Sequence, residues 1–129
     1  MLTTENVKQL VRGFLHEACG YLGIDDSLIG ICYVPMPVPI MMVMLLKDSD
    51  DIVIDNKLLA DVVEQNTYTK LRFEIYRVAR EIYQRRKHQA EGTQEDIKAD
   101  TNDAYAFAYA LIFLNGLSMI IPHQFVDDW

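Results

Sequence analysis

Cysteine is scarce. The 129-residue chain carries only Cys19 and Cys32, too few for the disulfide framework of a small secreted domain, so both are read as reduced, buried thiols. Glycine and proline are few as well, six and four, which excludes collagen-like and low-complexity chains. With 50% hydrophobic and 24% charged residues, the composition is that of a packed globular protein. The longest apolar run, Val38 to Leu46 with Pro39 inside it, falls well short of the ~20 residues of a membrane-spanning helix. The opening Met1-Leu-Thr-Thr-Glu-Asn has no basic region leading into an apolar stretch, which argues against a secretory signal and for a cytoplasmic location. Positive charge is also short: 12 Lys and Arg against 19 Asp and Glu leave a net charge of −7. That balance disfavours nucleic acid and anionic membrane surfaces as partners, because a phosphate surface is held mainly by matching positive charge. The length suits a single domain spanning residues 1–129.

What is present predicts an α+β fold. Thr4 can cap a first helix along which Val7, Leu10, Val11, Phe14, Leu15 and Ala18 recur at helical spacing, ending near Gly20 to Gly23. From Ile31 to Ile54 three apolar stretches, Ile31 to Val34, Ile40 to Leu46 and Ile52 to Ile54, are separated by Pro35, Pro37 and Pro39 and by the turn Lys47-Asp-Ser-Asp-Asp. They predict a small three-stranded antiparallel sheet. Met41-Met-Val-Met reads as core filling, although it can also face a cofactor or a partner. Asp55 or Asn56 starts a short helical segment through Leu58, Leu59, Val62 and Val63. A long helix follows from about Tyr68 to Lys87, with Leu71, Ile75, Val78, Ala79 and Ile82 on one face. After a polar connection, Gln89 to Gln94, a last long helix runs from about Glu95, capped by Thr93 or a nearby acid, to the stop signal Asn115-Gly116. From Ala104 to Leu114 it is apolar on every side, which predicts a central buried helix packed on the other long one. The tail, Leu117 to Trp129, is expected to dock on the domain, with Trp129 able to serve a partner.

Charge is unevenly distributed. Residues 70–90 hold 7 basic and 2 acidic groups, between acidic flanks with 4 and 10 in residues 1–69 and 1 and 7 in residues 91–129. Internal neutralisation explains one basic helix between acidic segments, with Arg85, Arg86 and Lys87 suited to a helix C-terminus. Histidine offers little to a metal. His16 and Cys19 make at most half a site, while His88, at a helix end, and His123, after Pro122, are isolated.

Two stretches carry a family likeness: Leu71-Arg72-Phe73-Glu74-Ile75-Tyr76 in the long helix, and Ala104-Tyr105-Ala106-Phe107-Ala108-Tyr109-Ala110-Leu111 in the last. With the order of elements, they make the chain resemble the minimal zincin metallopeptidases of the ImmA/IrrE type. The resemblance covers roughly residues 4–114. It implies a zincin-like fold, a strand before a helix bearing HExxH, and a third metal ligand just before the alanine-rich pattern. It also implies a setting beside DNA-binding repressors or on mobile elements.

The chain departs from that pattern where the chemistry lies. The HExxH window falls on Arg77-Val78-Ala79-Arg80-Glu81, and the candidates for the third ligand are Asp100, Thr101 and Asp103. Two imidazoles one turn apart bind zinc and a neighbouring carboxylate takes a proton from its water. Arginine has no lone pair to donate and valine no proton chemistry. No metal or other cofactor is therefore expected, and Arg77, Val78, Arg80, Glu81, Asp100, Thr101 and Asp103 are degenerate site positions. Charge near the entrance of an apolar helix is costly unless paired, so Arg77 or Arg80 is expected to bond Asp100 or Asp103. The alternative is a solvated face with pairs such as Arg77 to Glu81. Tyr76, Tyr83, Tyr105 and Tyr109 can line a pocket with these arginines, or bury their rings at helix interfaces.

Three functions follow. The first is a non-catalytic zincin-like domain that binds another protein. The second is a binder of a small carboxylate or phosphate through Arg77, Arg80 and Tyr76 in a residual cleft. The third is an enzyme using Glu74, Glu81, Asp100 or Asp103 for acid–base work, for which no nucleophile or metal motif is adjacent.

Overall fold

Thr3, one residue before the expected cap, starts the first helix, α1 (Thr4–Leu22): its hydroxyl accepts the amide of Asn6 at 3.1 Å, and Gly23 closes the helix in the left-handed conformation. A computed structural model describes residues 1–36 and 43–120, with side chains through Asn115. The stretch Pro37 to Met42, which includes the start of the expected second strand, and the tail residues His123 and Trp129 lie outside the described residues. One face of α1 buries Val7, Val11, Phe14, Leu15, Ala18 and Cys19. Burial pushes the Cys19 thiol up to about 11, with Asp26 adding to it against Arg86, so Cys19 is an inert thiol. Cys32, in contrast to the expectation of two buried thiols, is exposed.

The sheet has three strands, β1 (Ile31–Val34), β2 (Val43–Leu45) and β3 (Ile52–Asp55), in the order β1-β3-β2. It is mixed rather than antiparallel. β2 and β3 form an antiparallel hairpin around the polar turn, with Leu46 N–H bonded to Asp51 O at 3.0 Å, whereas β1 runs parallel to β3 with Ile31 opposite Ile52. The prolines explain the difference. Pro35, Pro37 and Pro39 bring no N–H to a ladder, which works against a β1–β2 hairpin, and residues 35–51 exceed the roughly dozen that a parallel crossover needs.

Asp55 ends β3 and caps α2 (Asn56–Gln65), its carboxylate accepting Lys57 N–H at 3.1 Å and Met36 N–H at 3.3 Å. Asn66 then takes a left-handed conformation and accepts the amide of Leu2 at 3.0 Å, which ties the N-terminus to this turn. α3 (Thr69–Glu91) extends through the first half of the expected polar connection before Gly92 ends it, and α4 (Ile97–Ile120) begins after Asp96, which accepts the amide of Ala99. α4 also continues past Asn115-Gly116, since glycine weakens a helix without obliging it to stop.

The central helix is α3. It packs against α1, β2 and α4, and buries Leu71, Ile75, Tyr76, Val78, Ala79 and Ile82. The expectation of α4 as the buried centre is corrected: among its described side chains the stripe Ala104, Ala108 and Leu111 is buried, against α3, while Tyr105, Ala106, Tyr109, Ala110, Phe113 and Leu114 face outward. An all-round apolar composition predicts burial only if a second neighbour exists for the far face. The basic end of α3 is neutralised within the chain. Arg85 donates to Ser49 O at 2.5 Å and Leu46 O at 2.8 Å, and Arg86 forks onto the Asp50 carboxylate at 2.9 and 3.1 Å, clasping the β2–β3 turn. Among the described residues, no helix is long and apolar enough to cross a membrane.

Candidate functional site

Helical spacing puts Glu74, Arg77 and Glu81 on one side of α3, facing the edge strand β2. Arg77 is the most deeply set charge there, 4% exposed. Its Nε donates to Glu74 Oε1 at 3.0 Å, its Nη2 to Glu74 at 2.6 Å and to the Val43 carbonyl at 3.0 Å, and its Nη1 to Glu81. Four of the five N–H donors of a guanidinium are thereby spent. The group also lies 5.8 Å from the centroid of the Tyr105 ring. Burial alone would loosen the guanidinium proton, but the bond it donates to Glu74 and the charges of Glu81 and Glu74 hold it more tightly than usual.

One turn further on, Arg80 makes a two-pronged pair with Asp103 of α4: Nε to Oδ2 at 2.7 Å and Nη2 to Oδ1 at 3.2 Å. This is one of the ion pairs anticipated between α3 and the entrance of α4. The rings of Tyr83 at 4.6 Å and Phe107 at 5.5 Å flank the guanidinium. Buried Gln84 completes the arrangement, its amide donating to Asp100 O at 2.7 Å and to Asp103 Oδ2 at 2.8 Å. The Arg80 hydrogen bond, aided by Gln84, holds the Asp103 carboxyl below its ordinary range against a smaller desolvation effect.

Since the folded Asp103 binds its proton less readily than the unfolded one, its contribution to stability is complete above the unfolded pKa and is lost as pH falls through the lower folded value. An Arg80→Ala, Asp103→Ala double-mutant cycle is expected to show a coupling of about 0.5–1 kcal/mol at pH 7, as for partly exposed pairs, and a smaller one in acid, below the ordinary Asp value of about 3.9. Urea denaturation at the two pH values measures it. A coupling that stays constant with acidification would remove the pair from the account.

The remaining positions separate. Asp100 pairs with no arginine. Its Oδ2 meets His88 Nε2 at 2.9 Å, and His88 Nδ1 lies 2.7 Å from Thr93 Oγ1, so His88 bridges the end of α3 to the start of α4 rather than standing in solvent. Thr101 is exposed and lines a shallow cleft of about 280 Å³ with Leu45, Glu81, Gln84, Arg85 and Asp100. Val78 is fully buried in the core. Tyr76 does not face this cleft: its hydroxyl donates to Glu17 of α1 at 2.5 Å and accepts from Arg72 Nε at 2.6 Å and Asn115 Nδ2 at 3.0 Å. Burial, with Glu17 beside it, raises the Tyr76 hydroxyl well above its ordinary value against the opposing pull of Arg72. His16 and Cys19 do not come together either, since His16 is exposed and bonded to Asp26 at 3.1 Å while Cys19 is buried.

Zinc does not suit this set of donors. Arg77 has no lone pair to give and four of its five N–H donors engaged, Val78 lies in the core, and Glu81 serves as counter-ion to Arg77. Among the described residues there is no group of three or more His, Cys, Asp or Glu placed to hold a metal ion. For an anion, Arg77 has one donor left, whereas Arg80 keeps its Nη1 without a partner among the described residues. Sequence reasoning missed the Glu17–Arg72–Tyr76–Asn115 network, of which the i, i+4 spacing of Arg72 and Tyr76 was the only local sign. It also missed the outward face of α4, signalled by Tyr105, Tyr109 and Phe113 at i, i+4 and i+8. Comparisons with protein-family models, with curated proteins and with solved structures find no match to this chain.

Proposed function

We propose that this chain is a non-catalytic, metallopeptidase-like domain that acts by binding another protein. One observation carries the reading: Arg77 sits buried where an HExxH helix would present its first metal histidine, with four donors spent on Glu74, Glu81 and the Val43 carbonyl. A side chain so engaged contributes to the packing of α3 on β2 and is not available to a substrate. The stretches Leu71 to Tyr76 and Ala104 to Leu111, on adjacent helices after a strand, support the metallopeptidase-like part. The outward face of α4 supports the binding part, because contiguous exposed apolar surface of several hundred Å² marks interaction sites on folded proteins.

Zinc titration followed by thermal unfolding, with elemental analysis of protein purified without chelators, tests the non-catalytic half. The expected result is no stoichiometric zinc, no rise in melting temperature on adding it, and no peptide hydrolysis sensitive to EDTA. Stoichiometric zinc together with chelator-sensitive cleavage would overturn it.

A further inference from the structure

We infer that the outward face of α4 is a self-association surface, on which a second copy of this chain packs its own α4 in antiparallel orientation. The inference rests on the reading of that face as a binding surface and names its occupant. Tyr109 and Phe113 are about two-thirds exposed, 66% and 67%, with Leu114 at 49% and Tyr105 at 41%. Exposed apolar side chains elsewhere, such as Tyr21 on α1 and Leu28 in the loop before β1, stand apart from this face, as is ordinary on any surface. On α4 they are contiguous, because i, i+4 and i+8 positions stack along one side of a helix.

The face is self-complementary in shape. Beside the ridge of Tyr105, Tyr109 and Phe113 runs a shallow groove at Ala106 and Ala110, both exposed. A two-fold axis near Tyr109 lets each copy seat its ridge in the groove of the other, the reciprocal contact that an isologous interface requires. The ridge is pre-positioned, with the Tyr105 and Tyr109 rings resting on Phe73 at centroid distances of 5.6 and 4.8 Å, so little side-chain freedom is left to lose on association.

Charge selects the partner. The chain carries −7 overall, yet residues 104–126 contain no Asp, Glu, Lys or Arg. Two copies of one acidic protein repel least across an uncharged surface, whereas a basic partner would find no carboxylate to meet on this one. The area is adequate. With ~200 Å² for a whole aromatic side chain, the exposed fractions give on the order of 400–500 Å² per copy, and the pair approaches the ~1,000 Å² that a specific interface needs.

Sedimentation velocity on the full chain from about 1 to 100 μM, with Tyr109→Lys and Ala110→Glu variants, tests the proposal. Both substitutions lie on the face opposite the buried stripe, so circular dichroism and melting temperature are expected to show folded variants. The expected result is a wild-type dimer of twice 14.9 kDa and dimerisation weakened on the order of 100-fold in each variant, since either places two unpaired charges in the contact. A dimer unaffected by both substitutions would overturn the proposal. So would a wild type that is monomeric throughout: if it binds a different protein through Tyr109, the binding-face reading survives and only the occupant is wrong. A monomer that dimerises once residues 121–129 are deleted overturns it in favour of cover by the chain's own C-terminal segment.

Discussion

Arg77→Met is expected to lower the stability of this protein by about 3–5 kcal/mol, the range for removing one partner from a buried charge cluster. The cost comes from what remains rather than from the pair itself. Without the guanidinium, Glu74 and Glu81, two helical turns apart on the same side of α3, lose their shared counter-charge, and the Val43 carbonyl of β2 loses its donor. Methionine fills much of the stem volume, so little of the loss is cavity. Urea denaturation measures it directly, and the melting temperature should fall by about 10–20 °C for a chain of this size. The variant Glu74→Gln, Arg77→Met, Glu81→Gln should recover a large part of the loss, because replacing a whole buried charge cluster by neutral groups costs far less than breaking it. A loss under about 1 kcal/mol for Arg77→Met would mean that these residues form only a solvated face.

Val78→Glu is expected to be at least as damaging. In an HExxH helix this position bears the catalytic carboxylate, so the substitution restores the residue type that the resemblance implies. Here Val78 is fully buried in the cluster that includes Val11, Ile75, Ala79 and Ile82. A carboxylate there must either ionise without a partner or take up a proton at several kcal/mol, and its extra atoms must displace packed neighbours. The cost is a large part of the ~5–15 kcal/mol that a domain of this size has in total. Loss of near-ultraviolet dichroism and a non-cooperative thermal transition are the expected readings. A Val78→Glu protein that melts cooperatively within a few degrees of wild type would place position 78 against solvent or a polar cleft and reopen the catalytic reading.

The two substitutions bear on adjacent residues of α3 that face different surroundings. Arg77 is charged and compensated, and Val78 is apolar and enclosed. The acidic partners of Arg77 come from its own helix, three residues before it and four after it, so its buried charge is largely settled locally. Arg80 instead reaches across to α4, where its link to Asp103 fixes how two elements meet.

Local patterns were sufficient for the helices and for the number of strands. The periodicity of Val7 to Ala18 and of Leu71 to Ile82 stated which faces would be buried, and the polar turn before Ile52 marked a hairpin. These readings succeed because i, i+4 spacing and turn chemistry are properties of neighbouring residues. The Arg80–Asp103 pair was also within reach, since an acid at the entrance of an apolar helix and a base on the helix before it have few other ways to avoid a desolvation cost. The direction of β1 was not within reach. Strand pairing is a contact between distant residues, and the proline-rich connection says only that a tight hairpin with β2 is disfavoured.

The amino-acid order by itself determined where helices begin, which residues of α1 and α3 go inward, and that Arg77 to Glu81 include no histidine. Only the tertiary structure decided that β3 lies between its two sisters, that Tyr76 joins Glu17 and Arg72 instead of a cleft, and that Tyr105, Tyr109 and Phe113 of α4 face outward. Each of those depends on which elements become neighbours. An apolar helix states how much surface it wants covered, while the number of partners within reach is a property of the assembled fold.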